Sequence, residues 1–195
     1  MADSKNRTGL YILIAVIVVI VLIVGWIWSG YNRLVTEKAN VDNTWRQVET
    51  QYQRRADLIP NLVQTVKGAS NFEQSTLTAV TNARTQWLNA SGNRSAEVSA
   101  AQNMDSALSR LLVTVESYPQ LQATQAYRDL MTQLEGTENR IAVARKDYND
   151  EVRNYNVLVQ TFPTNILAGQ FGYTVEKGFE SAPGTENAPT VNFGQ

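Results

Sequence analysis

Between residues 10 and 28 the chain reads LYILIAVIVVIVLIVGWIW, with no charged side chain at any position. As a helix rising ~1.5 Å per residue, these about 19 residues span roughly 28 Å, which matches the hydrocarbon core of a bilayer. Leu10 and Tyr11 open the run and Trp26 and Trp28 close it. Aromatic rings at both ends suit the headgroup boundary. A cleaved secretory signal would have a shorter apolar core and a small-residue cleavage site, whereas GWIWSGYN follows here. The segment is therefore expected to stay in the chain as a single-pass anchor in the cell (inner) membrane, with residues 10–28 contacting lipid.

Past the anchor the pattern changes from apolar on all sides to apolar on one side. Leu34, Val41, Trp45, Val48, Tyr52, Ile59, Leu62 and Val66 recur in steps of three and four once the polar seam positions between them are counted. That spacing predicts a helix with one buried stripe, leaving the bilayer as a stalk. A second helix is predicted from Phe72, Thr76, Val80, Ala83 and Trp87, ending at NASGNRS. Asn93 or Ser95 caps a third, carried by Val98, Ala101, Asp105, Leu108, Leu112 and Val115 and stopped before Pro119. The last and longest predicted helix covers 121–162 in register through Tyr127, Leu130, Leu134, Ile141, Ala144, Tyr148, Val152, Tyr155, Val159 and Phe162. At ~1.5 Å per residue it extends on the order of 63 Å and the helix over 31–67 roughly 55 Å, so the two are long enough to pair.

These elements predict an all-α chain. A polar tail (1–9) and the transmembrane helix (10–28) precede an antiparallel long-helix bundle of about four helices (29–162), and an irregular C-terminal segment follows (163–195). Within that last segment Ile166, Leu167, Phe171 and Phe179 are the residues expected to dock.

One stretch interrupts the pattern. In RRADLIPNLV, Pro60 cannot donate to the Ala56 carbonyl, so a kink or break is expected there, beside Asn61. Arg55 falls on the buried seam between Tyr52 and Ile59, where a charge needs a carboxylate from another helix or another protein. Arg54 and Asp57, at i and i+3, suit a surface pair. Arg55 has two readings, a register-setting buried charge or part of a recognition surface. A second constellation lies in RKDYNDEVRNYN, where Tyr148 with Asn149 and Tyr155 with Asn156 repeat at i and i+7 beside Arg145. Such pairs hydrogen-bond across a polar seam flanked by alternating charges.

Composition narrows the chemistry. The 195 residues hold 17 Lys and Arg against 18 Asp and Glu, which gives no electrostatic footprint for nucleic acid. Cysteine and histidine are absent, which removes disulfides, thiol chemistry, imidazole acid–base catalysis and the Glu-x-x-His ligand sets of di-metal bundles. There is no glycine-rich phosphate loop or Gly-x-Ser-x-Gly turn. No catalytic site, cofactor or metal site is expected, and an all-carboxylate ion site from Glu49, Glu73, Glu138, Asp150 or Glu151 is poorly suited to helix-borne ligands.

The stretch YNRLV…TWRQVETQYQRRADLIPNLVQTVKG, the run YPQLQATQAYRDLMTQLEGTENRIAVARKDYNDEVRNYN and the closing APTVNF resemble the LemA family over nearly the whole chain. The resemblance implies a membrane-anchored antiparallel helical bundle of the bacterial cell envelope and brings no active site with it. Asn71 stands where many members have histidine, so no metal or proton role transfers to that position. Association with membrane quality-control proteins is what the family implies about partners.

Together these features point to a membrane-anchored interaction or adaptor protein that binds a protein partner or copies of itself. The alternative is a module that binds anionic lipid or envelope polymer through Arg54, Arg55 and the basic residues near Arg145. Lys5 and Arg7 before the anchor are balanced by Arg33 and Lys38 after it. The free amino end beside Lys5 then places the N-terminus in the cytoplasm and the bundle on the extracytoplasmic side.

Overall fold

A computed structural model describes residues 3–68 and 72–179, with side chains from residue 9 onward. Asn71 and residues 180–195, including the closing APTVNF, lie outside the described residues. The described elements are all helical: α1 (Asp3–Lys67), α2 (Gln74–Asn89), α3 (Arg94–Val115), α4 (Pro119–Gln122), α5 (Gln125–Gln160) and α6 (Thr164–Phe171). The chain forms two compact units. Of the described residues, the first takes those up to Thr44 and Tyr148–Gly178, the second those within Trp45–Asp147 together with Phe179.

In the first unit, α1 carries the apolar run, which is exposed along its length except at the half-buried Ile27. It is the one described helix long and apolar enough to cross a membrane. Its continuation is amphipathic, with Leu34 and Val41 fully buried. Tyr148, Val152, Tyr155, Leu158 and Val159 of α5 are buried in the same unit. Lys38 lies over the Tyr155 ring while Gly30, eight residues earlier, meets Leu167, twelve residues later, so this part of α1 and the returning chain run antiparallel.

In the second unit, residues 45–67 of α1 and 125–147 of α5 are again antiparallel, since Tyr52 meets Arg145 and Arg55 meets Glu138. Helices α2 and α3 complete this core through Leu77, Val80, Trp87, Met104, Leu108 and Leu111. The α1 stripe is buried at every predicted position. In α2 the core residue is Leu77 rather than Thr76, and in α3 Met104 and Leu111 go deepest while Val98 and Leu112 are half-buried. In α2 the shift is a one-position rotation toward the more apolar neighbour, which buries more apolar area for the same helix. Asn93 is the N-cap of α3, its side chain accepting from the Ala96 N–H at 3.1 Å.

Three expectations are corrected. Of the kink or break expected at Pro60, the break does not occur, since α1 continues to Lys67. Phe162 is not a seam residue: α5 stops at Gln160, the chain turns through Pro163, and the ring is 75% exposed. The segment after 162 is not irregular throughout, because residues 164–171 form α6. That helix buries Leu167 and Ala168 and ends at Gly172, whose φ of 75° is a left-handed cap conformation that a side chain disfavours. Residues 173–179 have no regular secondary structure.

Candidate functional site

The singled-out residues separate into two constellations, one in each unit. In the second unit Arg55 is 3% exposed and sits in an ion cluster. Its guanidinium pairs with Asp105 of α3 and with Glu138 of α5. Arg145 also pairs with Asp105 and donates to the Tyr52 hydroxyl, which itself donates to Asp105 Oδ2 at 3.0 Å. Two arginines and two carboxylates cancel, so the cluster is neutral while tying three helices together. Arg55 Nε is buried with no acceptor among the described residues, a desolvation cost that offsets part of what the ion pairs contribute.

Burial pushes the Asp105 carboxyl up to about 6, against the pull of Arg55, so it is ionised at neutral pH. Burial also lowers the Arg55 pKa, with Asp105 opposing that shift, and lowers Arg145. The sequence located Arg55 on the seam, but Asp105 and Glu138 were not assigned as its partners. The available signal was that Asp105 stands at a core-facing position of its helix.

The proline beside this cluster has a specific partner. With no N–H at residue 60, the fully buried Ala56 carbonyl lacks its usual helical donor. Arg84 Nε of α2 fills that role at 2.9 Å. Pro60 and Asn61 themselves are exposed. Asp57 accepts from Gln53 at 2.8 Å rather than pairing with Arg54. Arg54 lines an open surface groove with Arg46, Glu49, Gln53, Trp87 and Leu88. At its edge Glu97, a buried carboxylate, accepts from Trp45 Nε1 at 3.0 Å and from the Gly92 N–H at 2.9 Å. Burial and the nearby Glu97 charge push Glu49 upward.

The Tyr–Asn repeat in the first unit acts on the C-terminal chain. Asn156 grips the backbone of Glu176 at both ends, donating to its carbonyl and accepting from its N–H, each at 2.8 Å. The Tyr148 hydroxyl donates to the Lys177 carbonyl at 2.9 Å, and Lys38 pairs with the Glu176 carboxylate. A Cβ at Gly178 would lie 2.7 Å from Asn149 Oδ1, so the strap passes Asn149 where only glycine fits without displacement. Tyr155 is buried beneath Lys38. The i, i+7 spacing was legible; its target, an extended segment and not a neighbouring helix, was not. In the second unit Phe179 stacks on Trp45 at 5.8 Å and lies 4.8 Å from the Arg145 guanidinium.

Arg55 and Arg145 are thus matched by carboxylates, while Arg54, Lys146 and Arg153 of the basic set are exposed. Among the described residues no group of three or more His, Cys, Asp or Glu side chains is placed to hold a metal ion.

Residues 44–193 match the family model described as the LemA family. Magnetosome protein MamQ 2 of Paramagnetospirillum magneticum is 27% identical over 189 residues, covering 84% of this chain and 70% of that protein. Protein LemA of Metamycoplasma hominis is 26% identical over 137 residues, covering 70% and 63%. Magnetosome protein MamQ of Magnetospirillum gryphiswaldense is 25% identical over 210 residues, covering 93% and 77%. With its apolar helix and these relatives the chain is a membrane-associated helical protein, and by the extent of the family match it belongs to the LemA family.

Proposed function

We propose that this chain is a membrane-tethered interaction protein, anchored through residues 10–28 and presenting its helical units to a protein partner or to further copies of itself. The observation that carries the reading is α1: one unbroken helix holds both an apolar run exposed along most of its length and a buried stripe that contributes to the core of each unit. The buried charges Arg55 and Glu97 support it, because Arg55 is engaged with Asp105 and Glu138 and Glu97 with Trp45 and Gly92. The groove at Arg54, with charged and apolar walls, is a surface of the kind a protein partner reads. Relatives named as magnetosome proteins are consistent with work at a cellular assembly.

Cross-linking in intact membranes followed by extraction in mild detergent is expected to recover a reproducible partner or oligomer. A chain that stays solitary under every native extraction contradicts the reading. The helical body is proposed to lie on the extracytoplasmic side; digestion of residues 45–147 by external protease in spheroplasts, with the cytoplasm sealed, is the expected result, and full protection reverses the orientation.

A further inference from the structure

The first unit has an end that its internal contacts do not explain. From residue 154 to residue 175 there is no Asp, Glu, Lys or Arg, a charge-free stretch that includes all of α6. On α1 the residues between Arg7 and Arg33 are likewise free of charge. Inside the first stretch several large apolar side chains face outward: Phe162 at 75% exposure, Ile166 at 58% and Val175 at 52%. With Phe171 at 49% these make four exposed large apolar residues within fourteen, unrelieved by a single charge, a density that water-facing segments avoid.

The position of α6 on α1 says what covers it. Leu167 packs so closely on Gly30 that a Cβ there would come within 2.6 Å of Leu167 Cδ1. Phe171 meets the Tyr31 ring edge-on at 4.8 Å, and Tyr173 follows at 6.4 Å. Phe171 also shares a groove with Val24, Ile27, Trp28 and Tyr31. These contacts hold α6 beside the last two turns of the apolar run, at the level of Trp26 and Trp28. Aromatic rings at that level mark the boundary between acyl chains and headgroups.

We propose that α6, with Phe162 and Val175 at its flanks, is a second membrane contact. It is an interfacial helix seated at the acyl–headgroup boundary of the leaflet from which α1 emerges. Leu167 and Ala168 fix the helix to α1, and Phe162, Ile166 and Val175 enter the lipid. Its occupant is the neutral apolar boundary of the bilayer, since the stretch offers no charge to anionic headgroups. Continuity with the spanning helix favours lipid over a second copy of the chain as the cover.

The chain has no cysteine, so single cysteines can carry a nitroxide label on the full-length protein. Phe162→Cys, Ile166→Cys and Val175→Cys are compared with Ala39→Cys, an exposed α1 position of the same unit. The labelled proteins are reconstituted in phosphatidylcholine vesicles, with retained helicity checked by circular dichroism. The ratio of oxygen to nickel-chelate accessibility is expected to be several-fold higher at 162, 166 and 175 than at 39, and unchanged by added salt or phosphatidylglycerol. Equal ratios at all four positions overturn the proposal. So does low access to both reagents with dipolar broadening between labels, which identifies a second copy as the cover. Lipid contact that appears only with phosphatidylglycerol and disappears with salt also overturns it.

Discussion

The two units solve one problem, how to hold antiparallel helices in a single register, with different chemistry. The second unit uses charge: Arg55 reaches carboxylates on two other helices, and Arg145 and Tyr52 close the cluster. The first relies mainly on neutral groups, with Asn156, Tyr148 and the glycine at 178 holding an extended strap to which Lys38 adds one ion pair at Glu176. A buried charge that loses its partner is expensive, whereas a lost neutral hydrogen bond is modest. Damage to the ion cluster should therefore propagate through its unit, while damage to the strap should stay local.

The largest effect is expected at Arg55. Arg55→Ala leaves Asp105 without its principal partner and opens a hole in the seam, a loss of about 3 kcal/mol or more. A fall in the denaturation midpoint followed by circular dichroism checks it. Arg55→Lys should recover only part of that loss, because one ammonium cannot meet Asp105 and Glu138 with separate nitrogens. Full recovery would mean that charge alone matters and the fork geometry does not.

Next is the proline. Arg84→Ala in the native background leaves the Ala56 carbonyl buried without a donor, which costs about 1–3 kcal/mol. With Pro60→Ala the residue-60 N–H becomes available to that carbonyl, so the same Arg84 change should cost much less. Additive losses in this double-mutant cycle would show that Arg84 acts elsewhere.

A smaller and more local change is expected from Asn156→Ala, which removes both bonds to Glu176 at roughly 1 kcal/mol each. Hydrogen exchange should rise in residues 173–178 with little change in the second unit. A general rise across α2 and α3 would erase the contrast drawn between the units.

The smallest effect concerns pH. Folded Asp105 titrates at about 6 against an ordinary value of 3.8, so the folded chain holds that proton more tightly. The stability it contributes is fully present below about pH 3.8 and is lost as pH rises through about 6. Melting temperatures are accordingly expected to fall from about pH 5 to about pH 7.5 by more in the native chain than in Asp105→Asn, and equal slopes would remove the assignment.

The legibility of these features differs by kind. The α1 stripe was readable residue by residue, because each core position repeats the same local rule. Arg55 was readable as a charge in the wrong place, and Pro60 as a missing donor. Their partners were not, since Asp105 lies 50 residues from Arg55 and Arg84 lies 28 from Ala56. Sequence spacing carries no information about which helices become neighbours. Phe162 shows the converse failure: it keeps the period of α5 but falls beyond the helix end, so periodicity assigned it to a core it never reaches.

The sequence by itself determined the helical class, the membrane-length apolar run, the buried stripe of α1 and the absence of cysteine and histidine chemistry. All of these follow from composition and from the 3.6-residue period, which act within a few turns of the chain. Only the tertiary structure decided that Asp105 and Glu138 answer Arg55, that Arg84 caps the carbonyl freed by Pro60, that the Tyr–Asn repeat holds the C-terminal strap, and that α6 lies against Gly30. Each of those is a meeting of groups far apart in sequence, fixed by which faces pack together, and no local rule encodes it.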